Sequence, residues 1–89
     1  MYGNPVSFAA GNGAASASQD ISALHNRTVD VTATGPVYLR FGAVAVTDSA
    51  FDHYLAAGQP LRLRISSTLD AATAWGDGGA WIVSLSPVA

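Results

Sequence analysis

The chain has 89 residues and a formal net charge of −2, from four arginines and six aspartates, with no lysine, glutamate or cysteine. This length allows one small domain with a thin core, and the absence of cysteine excludes disulfides and thiolate metal sites. The weak negative charge excludes the basic footprint of a nucleic-acid-binding protein, and no apolar run approaches the roughly 18–20 residues that span a bilayer.

Residues 1–20 are rich in glycine, alanine and serine and offer little apolar surface to bury. They predict an extended N-terminal arm, followed by a single β domain over residues 21–89. Val6 and Phe8 are the apolar anchors of this arm. A frayed terminus and an arm that orders by docking on a neighbour explain this composition equally well. No positively charged or leucine-rich leader is visible, so we expect synthesis in a cytoplasm.

The next part of the chain predicts several short strands. Two are expected within residues 21–33, with a break at residues 25–27, because valine alternates with polar residues up to Ala33. After a turn, Tyr38 and Arg40 point to one face of a strand whose other face carries apolar side chains. Residues 43–47 are expected to continue this strand as a bend or hairpin.

Residues 49–58 allow two interpretations. The spacing of Phe51, Tyr54 and Leu55 fits a helix, whereas the sheet-forming neighbours favour a loop followed by a short strand. Residues 60–66 alternate most regularly, with leucine and isoleucine facing inward and Arg62 and Arg64 facing outward. Residues 67–74 are small and polar and receive no strand. Residues 76–79 predict a hairpin-type turn before a last strand at residues 81–85.

The roughly seven or eight short strands, separated by frequent turns, predict an all-β domain, either a small β-sandwich or a partly open barrel. No catalytic residue is predicted, because no nucleophile stands beside an oriented base. Asp52 and His53 are interpreted as a solvated loop pair. Asp48 and Asp52 would share one face of a helix, but solvated carboxylates are commoner than a cation site. We therefore predict no metal and no cofactor.

The arginines on the regular strand have two interpretations. Arg62 and Arg64 lie about 7 Å apart on one strand face, and Arg40 joins them if the two strands pair. They form either an interface stripe that binds carboxylates of a partner, or a solvated face paired with Asp30. The absence of lysine slightly favours the interface, because interface cores favour arginine and deplete lysine.

The aromatic residues add candidate contacts. Trp81 is expected in the core, whereas Trp75 belongs either to the core or to an exposed tip, where it would anchor a partner. Tyr38 projects away from the apolar side of its strand and is a candidate contact residue. Beside Asp77, an exposed Trp75 would also form a stacking site for a sugar.

Three segments of the chain carry a resemblance to a known family: Gly35-Pro-Val-Tyr-Leu-Arg-Phe-Gly42, Tyr54-Leu-Ala-Ala-Gly58 and Gly79-Ala-Trp-Ile-Val-Ser-Leu85. They resemble segments of small virion proteins of tailed bacteriophages. The resemblance extends over about residues 27–86 and rests on the order of strand and turn residues. A strand of the form valine-tyrosine-x-arginine-phenylalanine-glycine precedes a turn of the form alanine-glycine-x-proline. It implies a small all-β capsid decoration (cement) protein, or another minor head or tail component. The family brings no active-site residues.

The resemblance also implies partners and a location. We expect a non-enzymatic homo-oligomer, a trimer, that binds the major capsid protein between capsomers on the virion surface. Neither a nucleic acid nor a membrane is expected as a partner. The candidate contact residues are Val6, Phe8, Tyr38, Arg40, Arg62, Arg64 and Trp75. The alternatives are a minor tail or neck component and a carbohydrate- or host-surface-binding module.

Overall fold

The computed structural model describes residues 5–42 and 44–88, and these residues form two β-sheets. A single turn of 3₁₀ helix, Ser22–Leu24, is the only helical segment in the described part of the chain. The strands in chain order are β1 (Val6–Ala9), β2 (Gly11–Asn12), β3 (Gln19–Asp20), β4 (Thr28–Ala33), β5 (Val37–Phe41), β6 (His53–Leu55), β7 (Leu61–Arg64), β8 (Ala71–Gly76) and β9 (Ile82–Pro87).

The first sheet has the strand order β1-β9-β4-β7, and all its neighbours are antiparallel. Its strands alternate as the sequence predicts, because side chains two residues apart share a face. In β4, Val29, Val31 and Ala33 are buried, whereas Thr28 and Asp30 lie on the outer face and are half-buried. β-Branched valines fit such a half-buried strand well.

The second sheet has the order β2-β8-β5-β6, and β3 also pairs with β8. β8 therefore lies at the centre of this sheet, between the antiparallel β5 on one side and the two short strands β2 and β3 on the other. The inward side chains of β8 are small: Ala72 and Ala74 are fully buried, and Gly76 is buried beside Gly79.

One hydrophobic core lies between the sheets. The first sheet contributes Val31, Val83 and Leu85, and the second contributes Val37 and Leu39, all with no exposed surface. Two sheets that bury their inner faces against each other form a sandwich. The predicted all-β class is confirmed, and the described strands form no closed barrel.

The N-terminal residues differ from the predicted arm. β1 pairs with β9 over four residues, and β2 and β3 both pair with β8, so residues 6–20 belong to the two sheets. Val6 and Phe8 are half-buried and pack against the core. The alternation Val-Ser-Phe-Ala places the two large apolar side chains on one face. It was not predicted as a strand, because the surrounding residues are mostly glycine, alanine and serine. Residues 1–4 of the predicted arm lie outside the described residues.

Three other segments also differ from the predictions. The first strand expected within residues 21–33 is replaced by the 3₁₀ turn. Residues 44–50 form an irregular loop without a strand, and Ala43 is not described. Residues 71–76 form the central strand β8, where no strand was predicted, because alanine and threonine give the segment little apolar contrast. The ambiguous segment at residues 49–58 contains the short strand β6, as the loop-and-strand interpretation expected.

The turn at residues 77–79 is present, but it is not a hairpin, because β8 and β9 belong to different sheets. The chain crosses here from one sheet to the other. Trp81 stabilises this connection between the sheets, because its Nε1 donates a hydrogen bond to the carbonyl of Asp77 at 2.9 Å. Its indole ring lies directly against Gly35 and Gly79, where a Cβ atom would collide with the ring. Glycine is needed at both positions for this close approach.

Candidate functional site

The outer face of the second sheet carries a row of aromatic side chains. Tyr38 on β5 lies opposite Tyr54 on β6 and opposite Trp75 on β8. Directly opposed residues of antiparallel strands project to the same side of a sheet. Phe51, which precedes β6, lies against the Tyr38 ring. We call these four residues, Tyr38, Phe51, Tyr54 and Trp75, the aromatic face.

Tyr38 is the centre of this face. Its ring centroid lies 4.7 Å from that of Phe51 and 5.2 Å from that of Tyr54, with the rings tilted by 53° and 54°. These are favourable separations for aromatic pairs. The outer members remain open to solvent, since Phe51 is 41% exposed and Tyr54 is 50% exposed. The rings are therefore packed against each other laterally but not covered.

A loop borders the aromatic face and holds Phe51 in position. Val46, in the middle of residues 44–52, is only 1% exposed, and its N–H donates to Oγ1 of the buried Thr73 at 3.0 Å. Thr73 lies on the outer side of β8, so this loop folds over the outer surface of the second sheet. At its far end, the Asp52 carboxylate accepts a hydrogen bond from the N–H of Phe41 at 3.0 Å.

Arg40 lies two residues after Tyr38 on β5 and therefore projects to the same side of the second sheet. β5 pairs with β6 and β8 and not with β7, so Arg40 does not extend the row of Arg62 and Arg64. Arg40 therefore does not join the arginine row, whereas Arg62 and Arg64 share the outer face of β7 as the sequence predicts. Arg40 instead adds a cation to the side of the molecule that carries the aromatic face.

Arg62 and Arg64 lie on the outer face of the first sheet. The guanidinium of Arg62 forms two hydrogen bonds with the Asp30 carboxylate, from Nε at 2.8 Å and from Nη2 at 3.2 Å. These hydrogen bonds lower the pKa of Asp30 below its ordinary value. Arg62 is thus paired as the solvated-face interpretation expected. Arg64 is exposed and lies opposite Thr28.

The remaining polar groups hold the chain connections together. The Asp20 carboxylate accepts a hydrogen bond from the N–H of Ser22 at 2.9 Å, which lowers the pKa of Asp20. His25 Nε2 lies 2.9 Å from the carbonyl oxygen of Leu69 and 2.8 Å from the Asp70 carboxylate. These contacts tie the turn before β4 to the segment before β8.

The described residues contain no group of three His, Cys, Asp or Glu side chains placed to hold a metal ion. They form no pocket, and their only candidate site is a surface. Within the same residues, no helix is long and apolar enough to cross a membrane.

Two members of the aromatic face, Phe51 and Tyr54, were absent from the predicted contacts. Their spacing was compatible with a helix, which would have buried them together on one side. The signal that identifies Tyr54 is its position next to Leu55 in a short strand, where adjacent residues face opposite ways. Phe51 gives no comparable signal, because a contact with Tyr38 across the loop holds it on this face.

No protein-family model, curated protein or solved structure matches this chain significantly.

The Asp30–Arg62 pair predicts a specific dependence of stability on pH. A carboxyl group whose pKa is lowered by folding stabilises the native state above its unfolded pKa of about 4, and this stabilisation is lost as the pH falls through the lower folded value. We expect urea unfolding between pH 6 and pH 2.5 to show a smaller acid-induced loss of stability in Asp30→Asn. Arg62→Gln should reduce the loss similarly, and unchanged slopes in both variants would contradict this role of the pair.

The Thr73 hydroxyl is predicted to hold the loop that borders the aromatic face. Thr73→Val keeps the shape of the side chain but leaves the N–H of Val46 without its acceptor, at a cost of about 1–3 kcal/mol in unfolding free energy. Amide hydrogen exchange of residues 44–52 should accelerate. Thr28→Val on the outer face of β4 is the matched control and should leave this exchange unchanged. Equal protection of the loop in both variants would refute the prediction.

Proposed function

We propose that this chain is a non-enzymatic structural protein of a tailed-phage particle, which decorates the outer capsid by docking through its aromatic face. The observation that carries the proposal is the open cluster around Tyr38, with Phe51 41% exposed and Tyr54 50% exposed. Tyrosine, tryptophan and arginine are the residues in which interface binding energy concentrates. Two tyrosines, one tryptophan and Arg40 lie on this side of the second sheet.

The partner of this docking is the major capsid protein, bound between capsomers. The shape of the site supports a macromolecular partner, because the described residues form no pocket and the rings lie on the surface of a sheet. The few charges of the chain fit the same proposal, since the centres of interfaces are depleted in charged residues other than arginine. The phage particle is proposed because the strand and turn segments of residues 27–86 resemble those of small virion proteins.

The first test of this assignment is the number of copies per particle. Particles purified from a strain whose phage encodes this chain should contain hundreds of copies, on the scale of the coat lattice, by quantitative mass spectrometry against the major capsid protein. About a dozen copies or fewer would instead favour the neck or tail. Complete absence from particles would refute the virion assignment.

Substitutions on the aromatic face should weaken docking without unfolding the protein. Tyr54→Ser and Phe51→Ser are each expected to lower affinity for particles that lack the protein by roughly tenfold or more, because exposed interface aromatics often dominate binding. Rebinding of purified protein is measured by co-sedimentation with the particles.

Ile82→Ser is the matched control for these variants. Ile82 is 43% exposed, a value similar to that of Phe51, but it lies on the outer face of the first sheet. We expect Ile82→Ser to bind as the unsubstituted protein does. Equal loss in all three variants, or none in any of them, would contradict docking through the aromatic face.

A carbohydrate-binding module is the second candidate, and the position of Trp75 favours it. Trp75 lies directly opposite Tyr38, and the exposed Asp77 follows two residues later. Adjacent rings on a sheet face suit stacking on the apolar side of a sugar, and a nearby carboxylate accepts hydrogen bonds from hydroxyl groups. Binding to a glycan array that is lost in Trp75→Ala, together with absence from particles, would establish this candidate in place of the first.

A further inference from the structure

The two outer edges of the first sheet differ in chemistry. β7 forms one edge and begins directly after Pro60. It carries the exposed Arg62 and Arg64. Charged residues and proline are the features that keep an edge strand from pairing with other chains. β1 forms the opposite edge with the sequence Val-Ser-Phe-Ala and carries no charge. No described strand pairs with the outer side of β1.

Hydrogen bonding identifies the groups that β1 offers to a partner. The N–H of Ala10 donates to the carbonyl of Trp81 at 2.8 Å, so the residue just after β1 directs its backbone groups toward β9. The backbone groups of successive residues in an antiparallel strand point alternately to its two neighbours. Phe8 therefore also directs its N–H and C=O groups toward β9, whereas Ser7 and Ala9 direct theirs away from it. The Ser7 and Ser84 hydroxyls form a hydrogen bond at 3.2 Å. This short distance fits a residue pair whose backbone groups are not hydrogen-bonded to each other, because the side chains of such a pair lie closest together.

We propose that β1 is a self-association edge, at which a second copy of this chain adds its own β1 in the antiparallel direction. One register uses every free backbone group of the strand. Ser7 of each copy then pairs with Ala9 of the other, which forms four hydrogen bonds across the dimer. Pro5, which has no N–H to donate, stays outside the hydrogen-bonded pairs.

A second copy fits this edge better than an unrelated strand does, because the edge is complementary to itself in this register. The two Phe8 side chains meet at a pair that is not hydrogen-bonded, where side chains of opposing strands come closest. Each Phe8 is half-buried against its own core, so the contact would bury more of both. On the opposite face, Ser7 and Ala9 are small and uncharged, and no like charges meet across the junction.

The symmetry of this contact is two-fold, since the same strand supplies both sides of the interface. The two-fold axis is perpendicular to the first sheet, because antiparallel pairing within one sheet reverses strand direction and keeps the faces. Both aromatic faces of the dimer therefore point to the same side. The proposal therefore gives a dimer where the resemblance led us to expect a trimer.

Analytical ultracentrifugation of the purified chain over a wide concentration range tests the proposal. We expect a monomer–dimer equilibrium. Ala9→Pro removes one outward N–H from each copy and leaves the hydrogen bonds to β9 intact. It should raise the dimer dissociation constant roughly thirtyfold. Circular dichroism and urea unfolding establish that the variant is folded.

Ser7→Lys is a second variant, which places a charge on the edge without changing the backbone. Its matched control, Thr32→Lys, puts the same charge on the outer face of the central strand β4. We expect Ser7→Lys to weaken the dimer and Thr32→Lys to leave it unchanged. A monomer at all concentrations, a trimer, or a dimer unaffected by the β1 variants would overturn the proposal, as would a β1 that pairs only with strands of other proteins.

Discussion

The alternation of small and large side chains along β8 is the constraint on which both faces of the second sheet depend. Its inward alanines, Ala72 and Ala74, leave room for the valines and leucines that the first sheet directs into the core, and its inward Gly76 leaves room for the backbone of Gly79. Facing layers pack well when small residues on one side meet large ones on the other. The same alternation places Thr73 and Trp75 outside. Core packing and the aromatic face therefore follow from one strand.

The first sheet has a different outer surface. Half of its outward strand residues are serine or threonine, and Asp30 and Arg62 form an ion pair with each other. An exposed ion pair adds little to stability, but it neutralises both charges at the surface. The molecule thus has one polar outer face and one aromatic outer face. This asymmetry is the reason why the proposed docking is placed on the aromatic face, because exposed apolar patches often mark binding sites.

The sequence predicted the strands whose alternation involves β-branched or long apolar residues, which are β4, β5, β7 and β9. It did not predict β8, because in Ala-Ala-Thr-Ala-Trp-Gly the buried and exposed residues differ little in hydrophobicity. The loop at residues 44–50 is the opposite case. Its valines suggest a strand, but Val46 is held by Thr73, 27 residues away along the chain. A contact between such distant residues leaves no periodic signal.

The candidate site was predicted in part for the same reason. Tyr38 could be identified, because it lies on the outward face of a strand whose apolar residues alternate regularly. The position of Phe51 depends on how the loop folds over β8, which no local pattern encodes. Val6 and Phe8 show the effect of composition, since their alternation was present but lay within a segment dominated by glycine, alanine and serine.

The two tryptophans lie in different surroundings, and this gives the molecule two separate optical reporters. The indole of Trp81 packs against Gly35 and Gly79 and donates a hydrogen bond to a backbone carbonyl, so its fluorescence reports whether the connection between the two sheets is intact. The indole of Trp75 lies beside Tyr38 on the outer surface, so its emission responds to whatever covers that surface. Replacing either tryptophan by phenylalanine would leave a single tryptophan, and the two variants together would separate loss of folding from occupation of the aromatic face.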